Sequence, residues 1–260
     1  MLTAAAATNI LFYLYAGWAI AAILMLGYIL RRQTIRKLKV RNQELQEEKS
    51  QSEYLLSSIL PSEVIRQLKN DKIARAKAYD NVCILFTDFQ GFSQIAEQLP
   101  PEVLVEELSD CFAHFDQIIE KYRLQKIKTI GDAYMCIGGL YTKGTKHVQR
   151  MTAAALEIQT FLAHRAQQTE SNHPIFRARI GMHIGSVVAG VIGRNRMAFD
   201  VWGNAVNIAQ QMEQQAEVGT VNVSKTTYEV IKEQFDCTFR EDIQLKNGKT
   251  TAMYRVNGFK

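Results

Sequence analysis

Asp88 and Asp132 are the residues from which chemistry can most readily be built. Asp88 ends the apolar run of VCILFTDFQGFS (82–93), just ahead of Gly91, and Asp132 follows Gly131 and precedes a second apolar run in KIKTIGDAYMCI (126–137). Each carboxylate therefore stands where a buried strand would stop. A Mg2+ ion takes hard oxygen ligands, one or two of them protein carboxylates, and keeps other positions for water and substrate phosphates. Two ions gripping a phosphoryl group would activate an attacking oxygen and neutralise a leaving group. The same residues have a plainer use: Asp88 as the cap of a helix starting near Phe92, and Asp132 as a hairpin-turn residue beside Gly131. Spacing alone leaves both readings open.

Four segments make the first reading specific. FTDFQGFS (86–93), KIKTIGDAYM (126–135), ARIGMHIGSVVAGVIG (178–193) and FDVWGNAVNIAQQME (199–213) resemble, in order, the signature segments of class III nucleotide cyclases, and the similarity covers roughly residues 55–258. The resemblance implies an α+β, ferredoxin-like core with a mixed sheet. It also implies formation of a 3′,5′-cyclic nucleotide by in-line attack of the ribose 3′-oxygen on the α-phosphate, with loss of pyrophosphate. Asp88 and Asp132, with the backbone carbonyl of Phe89, would hold two Mg2+ or Mn2+ ions per site, and Phe89, Gly91 and Phe92 would lie beside the nucleotide. Arg179 matches a phosphate-contacting arginine, a task suited to its permanent charge and forked donors. Lys128 and Asp200 match positions that read adenine: lysine donates to an unprotonated ring nitrogen and aspartate accepts from the exocyclic amine. Guanine reverses much of that pattern, so ATP is the expected substrate. Asn207 matches a residue that orients the ribose and the reacting phosphate.

Two features depart from the family pattern. Gln211 stands where relatives carry a transition-state arginine; it can donate a hydrogen bond but cannot compensate phosphate charge. LKNGKT (245–250) places Lys246 and Lys249 where many relatives carry a compact Lys-Gly-Lys-Gly run, and Lys249, Arg194 and Arg196 are the candidate compensating cations. The resemblance further implies a head-to-tail homodimer. Asp88, Asp132 and Arg179 would come from one subunit, and Lys128, Asp200, Asn207 and Gln211 from the other. The expected function is thus a membrane-anchored adenylate cyclase. The alternatives are a weakly active or silent regulatory cyclase domain that binds nucleotide or complements another chain, and a structural membrane module. No GGDEF-like segment is present.

The elements that must position these residues follow from the apolar pattern. A buried strand is predicted at 81–88, with helices at 92–98 and 101–121; Pro100 and Pro101 suit the boundary between them. Strands at 124–130 and 133–139 flank the Gly131-Asp132 turn. A helix at 147–168 should pack Met151, Ala154, Ala155, Ile158 and Phe161 on a sheet. Strands at 176–184 and 186–192, separated at Gly185, precede a helix at 204–214; strand, helix and two strands follow at about 219–223, 225–234, 236–241 and 252–257.

Ahead of the catalytic domain (80–260), residues 10–30 form 21 consecutive residues without a charge, long enough for a transmembrane helix after a short extracytoplasmic tail at 1–9. Residues 31–41 carry six basic groups and no acidic one, which places the flank and all that follows in the cytoplasm and offers a contact for anionic lipid. A juxtamembrane helical linker (31–79) continues inward. Its imperfect heptad seam of Ile35, Leu38, Leu45, Leu56 and Ile59 suits weak pairing with a second copy and relay from an upstream membrane or sensor partner. Pro61 breaks this helix. Without the six basic residues, the 31 Lys and Arg fall to 25 against 26 Asp and Glu, so a nucleic-acid-binding surface is not expected. The four cysteines show no CxxC spacing and fit buried thiols in a reducing compartment.

Overall fold

The computed structural model describes residues 2–142, 144–168, 175–193, 195, 197–246 and 248–260, with side chains described from Tyr15 onward. The chain divides into two compact units, Met1–Ile65 and Arg66–Lys260. In the first, α1 (Leu2–Ile59) is one uninterrupted helix of 58 residues, ended ahead of Pro61 as expected, and α2 (Ser62–Asp71) begins at the next residue. Trp18, Ile23, Leu24 and Met25 are exposed along α1, as are Leu38 and Leu45 of the heptad seam. Among the described residues no helix is long and apolar enough to cross a membrane. The side chains of 1–9 and of 10–14, where the expected span starts, lie outside the described ones.

The second unit is built on β1 (Lys77–Phe89). Its run Val82–Phe86 is apolar at every position because both faces are covered. Cys83, Leu85 and Phe89 join one core cluster, and Val82, Ile84 and Phe86 join another on the opposite face. The first cluster takes Phe112 and Phe115 of α4 (Pro101–Lys121), and Met151, Ala154, Ala155 and Ile158 of α5 (Lys146–Gln168). The second takes Ala205 and Ala209 of α6 (Asn204–Gln214). α3 (Phe92–Gln98) starts at Gly91, whose φ of 70° is the left-handed turn that a helix entry straight from a strand requires.

β1 lies between β3 (Ala133–Gly138) and β4 (Ala178–Ile192), antiparallel to both, with β2 (Gln125–Ile130) beyond β3. On the far side β4 runs parallel to β6 (Val221–Ser224), which pairs with β8 (Thr250–Phe259) and through it with β7 (Phe235–Gln244). α7 (Lys225–Ile231) connects β6 to β7 and is capped by Ser224, whose side chain accepts from Thr227 N–H. The order β2-β3-β1-β4-β6-β8-β7, with helices on both faces, is the expected α+β core with a mixed sheet.

Two expectations are corrected. Residues 178–192 are one strand, not two separated at Gly185: β1 pairs with β4 from Ala178 to Ala189, and Val82 stands opposite Gly185 itself. Gly185 is needed for space instead, since a Cβ there would lie 2.8 Å from Ala205 Cβ of α6. The strand reading also missed β5 (Ala198–Trp202), a short edge strand that pairs with the outer end of β4.

Candidate active site

Strand register brings the two aspartates together. β1 and β3 pair Thr87 with Tyr134, so continuing the antiparallel ladder sets Asp132 beside Phe89, one residue past Asp88. β2 and β3 join in a two-residue turn, with Ile130 opposite Ala133 and Gly131 at φ 62°. A glycine there permits the tight reversal and leaves Asp132 at the strand mouth. Burial first, then the charge of Asp88, raises the Asp132 carboxyl above its ordinary value, while the N–H groups of Asp132 and Phe89 pull it down. Two acids at one place, partly out of water, fit a divalent cation: the donors are hard oxygens, and one or two carboxylates are what Mg2+ takes from a protein. No group of three or more metal-ligating side chains occurs among the described residues.

Arg179 lies across the ladder from Asp88 as its direct β4 partner. Its Nη2 donates to Asp88 Oδ2 at 2.6 Å. The same nitrogen stands 3.2 Å from Oε1 of Glu213, a residue that the sequence reading did not single out. The Glu213 side chain is only 6% exposed, and its Oε1 accepts no hydrogen bond among the described residues. Burial, then repulsion from Asp88, pushes its pKa up to about 7 against the pull of Arg179. Gly181 is what admits it: a Cβ there would fall 1.9 Å from Glu213 N and 2.5 Å from Met212 C, so α6 crosses β4 in backbone contact. The available signal was periodicity. Ala205, Ala209 and Glu213 are spaced by four on one helix stripe, and the first two are buried.

Lys128 and Asp200 form a second group. Lys128 Nζ donates to Asp200 Oδ2 at 2.5 Å, joining β2 to β5, and Asp200 Oδ1 accepts from Val201 N–H at 2.9 Å. The carboxylate is thus fixed at one oxygen and turned toward the lysine with the other. Asn207 and Gln211, one turn apart on α6, share a face; Asn207 is exposed and Gln211 half-buried. Gln211 Oε1 accepts from the Lys246 N–H at 3.3 Å, which ties α6 to the β7–β8 loop. That loop is closed by Leu245 N–H to Lys249 O at 2.7 Å and Gly248 N–H to Leu245 O at 2.8 Å. Arg194 and Arg196 lie outside the described residues.

The remaining predicted positions surround the acidic end. Phe89 is buried and stacks on Phe176 at 4.9 Å between ring centroids, so only its backbone can serve a ligand. Phe92 opens α3 and stacks on Phe176 at 6.2 Å. In one group the Asp88 and Asp132 carboxylates suit a divalent cation and the Arg179 guanidinium, with Glu213 behind it, suits phosphate; the other, Lys128 with Asp200, presents a donor beside an acceptor. Asn207 and Gln211 belong to neither contact set.

Residues 74–258 match the family model described as adenylate and guanylate cyclase catalytic domain. An adenylate cyclase of Mycobacterium tuberculosis is 34% identical over 203 residues, covering 78% of this chain and 45% of the relative. A membrane guanylyl cyclase of Dictyostelium discoideum is 33% identical over 211 residues, covering 81% of this chain and 14% of the relative. The chain therefore spans less than half the length of these two relatives. Among solved structures, the guanylate cyclase domain of RhGC from Catenaria anguillulae in complex with GTP superposes with a TM-score of 0.66 at 26% identity, over 71% of this chain and 100% of that one.

Proposed function

The chain belongs to the adenylate and guanylate cyclase catalytic domain family, and from that premise we propose that it is a membrane-anchored adenylate cyclase, converting ATP to 3′,5′-cyclic AMP and pyrophosphate between two copies of itself. Relatives of both base specificities match the chain, and the Lys128–Asp200 pair is the observation that favours ATP. Adenine offers an unprotonated N1 to the lysine and an amine to the aspartate; guanine offers a protonated N1 and a carbonyl.

In this reading the bond formed joins the ribose 3′-oxygen to the α-phosphorus, and the bond broken releases pyrophosphate while the 3′-hydroxyl loses its proton. Asp88, Asp132 and the Phe89 carbonyl would hold the two divalent ions. When bound, these ions lower the pKa of the attacking hydroxyl and neutralise the triphosphate. Arg179 binds phosphate oxygens, and the backbone at Gly91 and Phe92 lines the triphosphate. Asn207 orients the ribose. The Gln211 carbonyl accepts from Lys246 N–H, which leaves its amide hydrogens to donate to the nucleotide without charge. Among the described residues no ion pair or hydrogen bond joins the two residue groups within one chain, and Asp88, Arg179 and Lys128 are partly exposed, which supports a homodimer in which one copy holds the triphosphate and the other the base. The charge-free stretch 10–30 and the six basic residues that follow support a membrane span, with anionic lipid at 31–41 and the catalytic domain (80–260) in the cytoplasm.

Purified protein should form cyclic AMP from Mg-ATP or Mn-ATP, with specific activity rising with protein concentration as dimers form. Lys128→Glu should lower the ATP:GTP ratio of kcat/KM by at least about a hundredfold, ~3 kcal/mol of discrimination. Absence of product above a metal-free control at high protein concentration overturns the reading. Gln211 favours one second reading, a weakly active regulatory domain that complements another cyclase chain; activity appearing only on co-expression with such a chain would select it.

A further inference from the structure

Glu213 stands beside the acidic strand ends, and no step of the reaction outlined above uses it. A carboxylate so buried carries a large desolvation penalty that an apolar residue on α6 would avoid. Among the described residues its ion-pair contact is Arg179 Nη2 at 3.2 Å, and that nitrogen is also the one that donates to Asp88 at 2.6 Å. A single guanidinium nitrogen thus lies between carboxylates from two elements, β1 and α6. The backbone contact at Gly181 fixes α6 against β4, the strand that also carries Arg179, and so holds the Glu213 backbone close to it.

We propose that Glu213 is a positioning residue acting through Arg179: it receives the guanidinium when Asp88 turns its oxygens to a divalent cation. The proposal rests on the reading of Asp88 and Asp132 as cation ligands. An arginine paired to Asp88 alone competes with the cation for the same oxygens, and displacing it leaves a half-buried charge unpartnered. A second acceptor, 3.2 Å from Nη2, removes that penalty. The guanidinium shifts from one carboxylate to the other, remains paired, and stays at the edge of the site where a triphosphate would meet it.

The test is Mn2+ binding to the nucleotide-free full chain, followed by the electron paramagnetic resonance signal of unbound Mn2+, for wild type, Glu213→Gln, Arg179→Gln, the double variant and Asp88→Asn. Glu213→Gln should weaken Mn2+ binding about tenfold, and Glu213→Asp, which keeps the charge, should recover part of the loss. In the Arg179→Gln background the same Glu213→Gln change should alter affinity less than twofold, because the residue it acts through is gone. If the tenfold loss persists there, Glu213 acts on the cation directly and the proposal fails. Unchanged Mn2+ affinity in Glu213→Gln, with only a lower melting temperature, also overturns it, since a purely structural role predicts that outcome. Wild-type binding by Asp88→Asn instead removes the cation-ligand reading and the proposal with it.

Discussion

Gly181→Ala tests whether backbone contact between α6 and β4 positions the site. The added methyl would sit 1.9 Å from Glu213 N, 2.5 Å from Glu213 Cα and 2.5 Å from Met212 C. All three are backbone atoms, so no side chain can rotate away. Restoring an ordinary separation of ~3.4 Å requires α6 to withdraw by about 1.5 Å, at the end that buries Ile208, Ala209 and Met212. Overpacking of a close-packed core costs about 1–3 kcal/mol, and partial loss of these three contacts adds to it, so a destabilisation of about 3 kcal/mol or more is expected. Urea titration at constant pH measures it, as a shift of the midpoint with little change of slope. Gly258→Ala is the control: no atom lies within 4 Å of its added Cβ, and stability should stay within about 0.5 kcal/mol of wild type. Cyclase activity assayed far below the Gly181→Ala midpoint should fall by more than tenfold, because a displacement near 1 Å moves Asn207, Gln211 and Glu213 together. A variant within 1 kcal/mol of wild type and fully active would refute the reasoning.

Gln211→Arg should raise turnover about tenfold to a hundredfold if missing charge limits the reaction; a well-folded variant with unchanged kcat would show that another cation already supplies that charge. Acid should destabilise the catalytic unit through His183. This residue is buried against Ser224, with Nδ1 2.6 Å from the serine Oγ, and burial lowers its pKa from 6.5 to about 4. The unfolded chain therefore binds the proton more readily. The stabilising contribution is complete above the unfolded value and is lost as pH falls toward 4, by about 2 kcal/mol at pH 5. Glu213, with its pKa raised to about 7, titrates in the opposite sense over the same range, so the test is a difference: between pH 7 and pH 5, urea titrations should show wild type losing about 2 kcal/mol relative to His183→Gln, and equal pH dependence would exclude His183 as the source. Burial also lowers the pKa of His147, which adds to the same trend and is unaffected by the substitution.

Much of the fold is legible because its signals are local. β1 reads directly, since covering both faces leaves an unbroken apolar run, and α3, α4 and α6 start where Gly91, Pro101 and Gly203 dictate. What escaped depends on neighbours distant in sequence. Gly185 looks like a strand break but continues the ladder, because Val82 and Ala205, more than one hundred and about twenty residues away respectively, determine its use. β5 carries no alternation, its residues ranging from exposed to buried along an edge that β4 pairs. The site divides in the same way. Asp88, Asp132, Lys128 and Asp200 are legible through ordered motifs, and Arg179 through its place in one of them. Glu213 sits in the glutamine-rich stretch QQMEQQ, which resembles a solvated helix end, and only a missing Cβ on another element places it inside.

The hairpin between Lys128 and Asp132 explains why a short loop can bear on two chemical tasks at once. Lys128 reaches Asp200 on β5, whereas Asp132, four residues on, turns to Asp88 on β1. In the proposed dimer these belong to different nucleotides, so one hairpin reads the base at one site and holds the cation at the other. Its geometry is therefore shared, and the structure braces it. Tyr134 OH donates to Asp116 Oδ1 at 2.6 Å, Lys126 Nζ donates to Asp116 Oδ2 at 2.8 Å, and the same ammonium lies 5.1 Å from the centre of the Tyr134 ring. One carboxylate on α4 thus secures both strands, β3 through the tyrosine and β2 through the lysine. A brace through Tyr134, which is fully buried, resists rotation of the turn better than the exposed lysine contact could alone. In that proposed dimer, base reading and cation holding would share the rigidity of this single attachment.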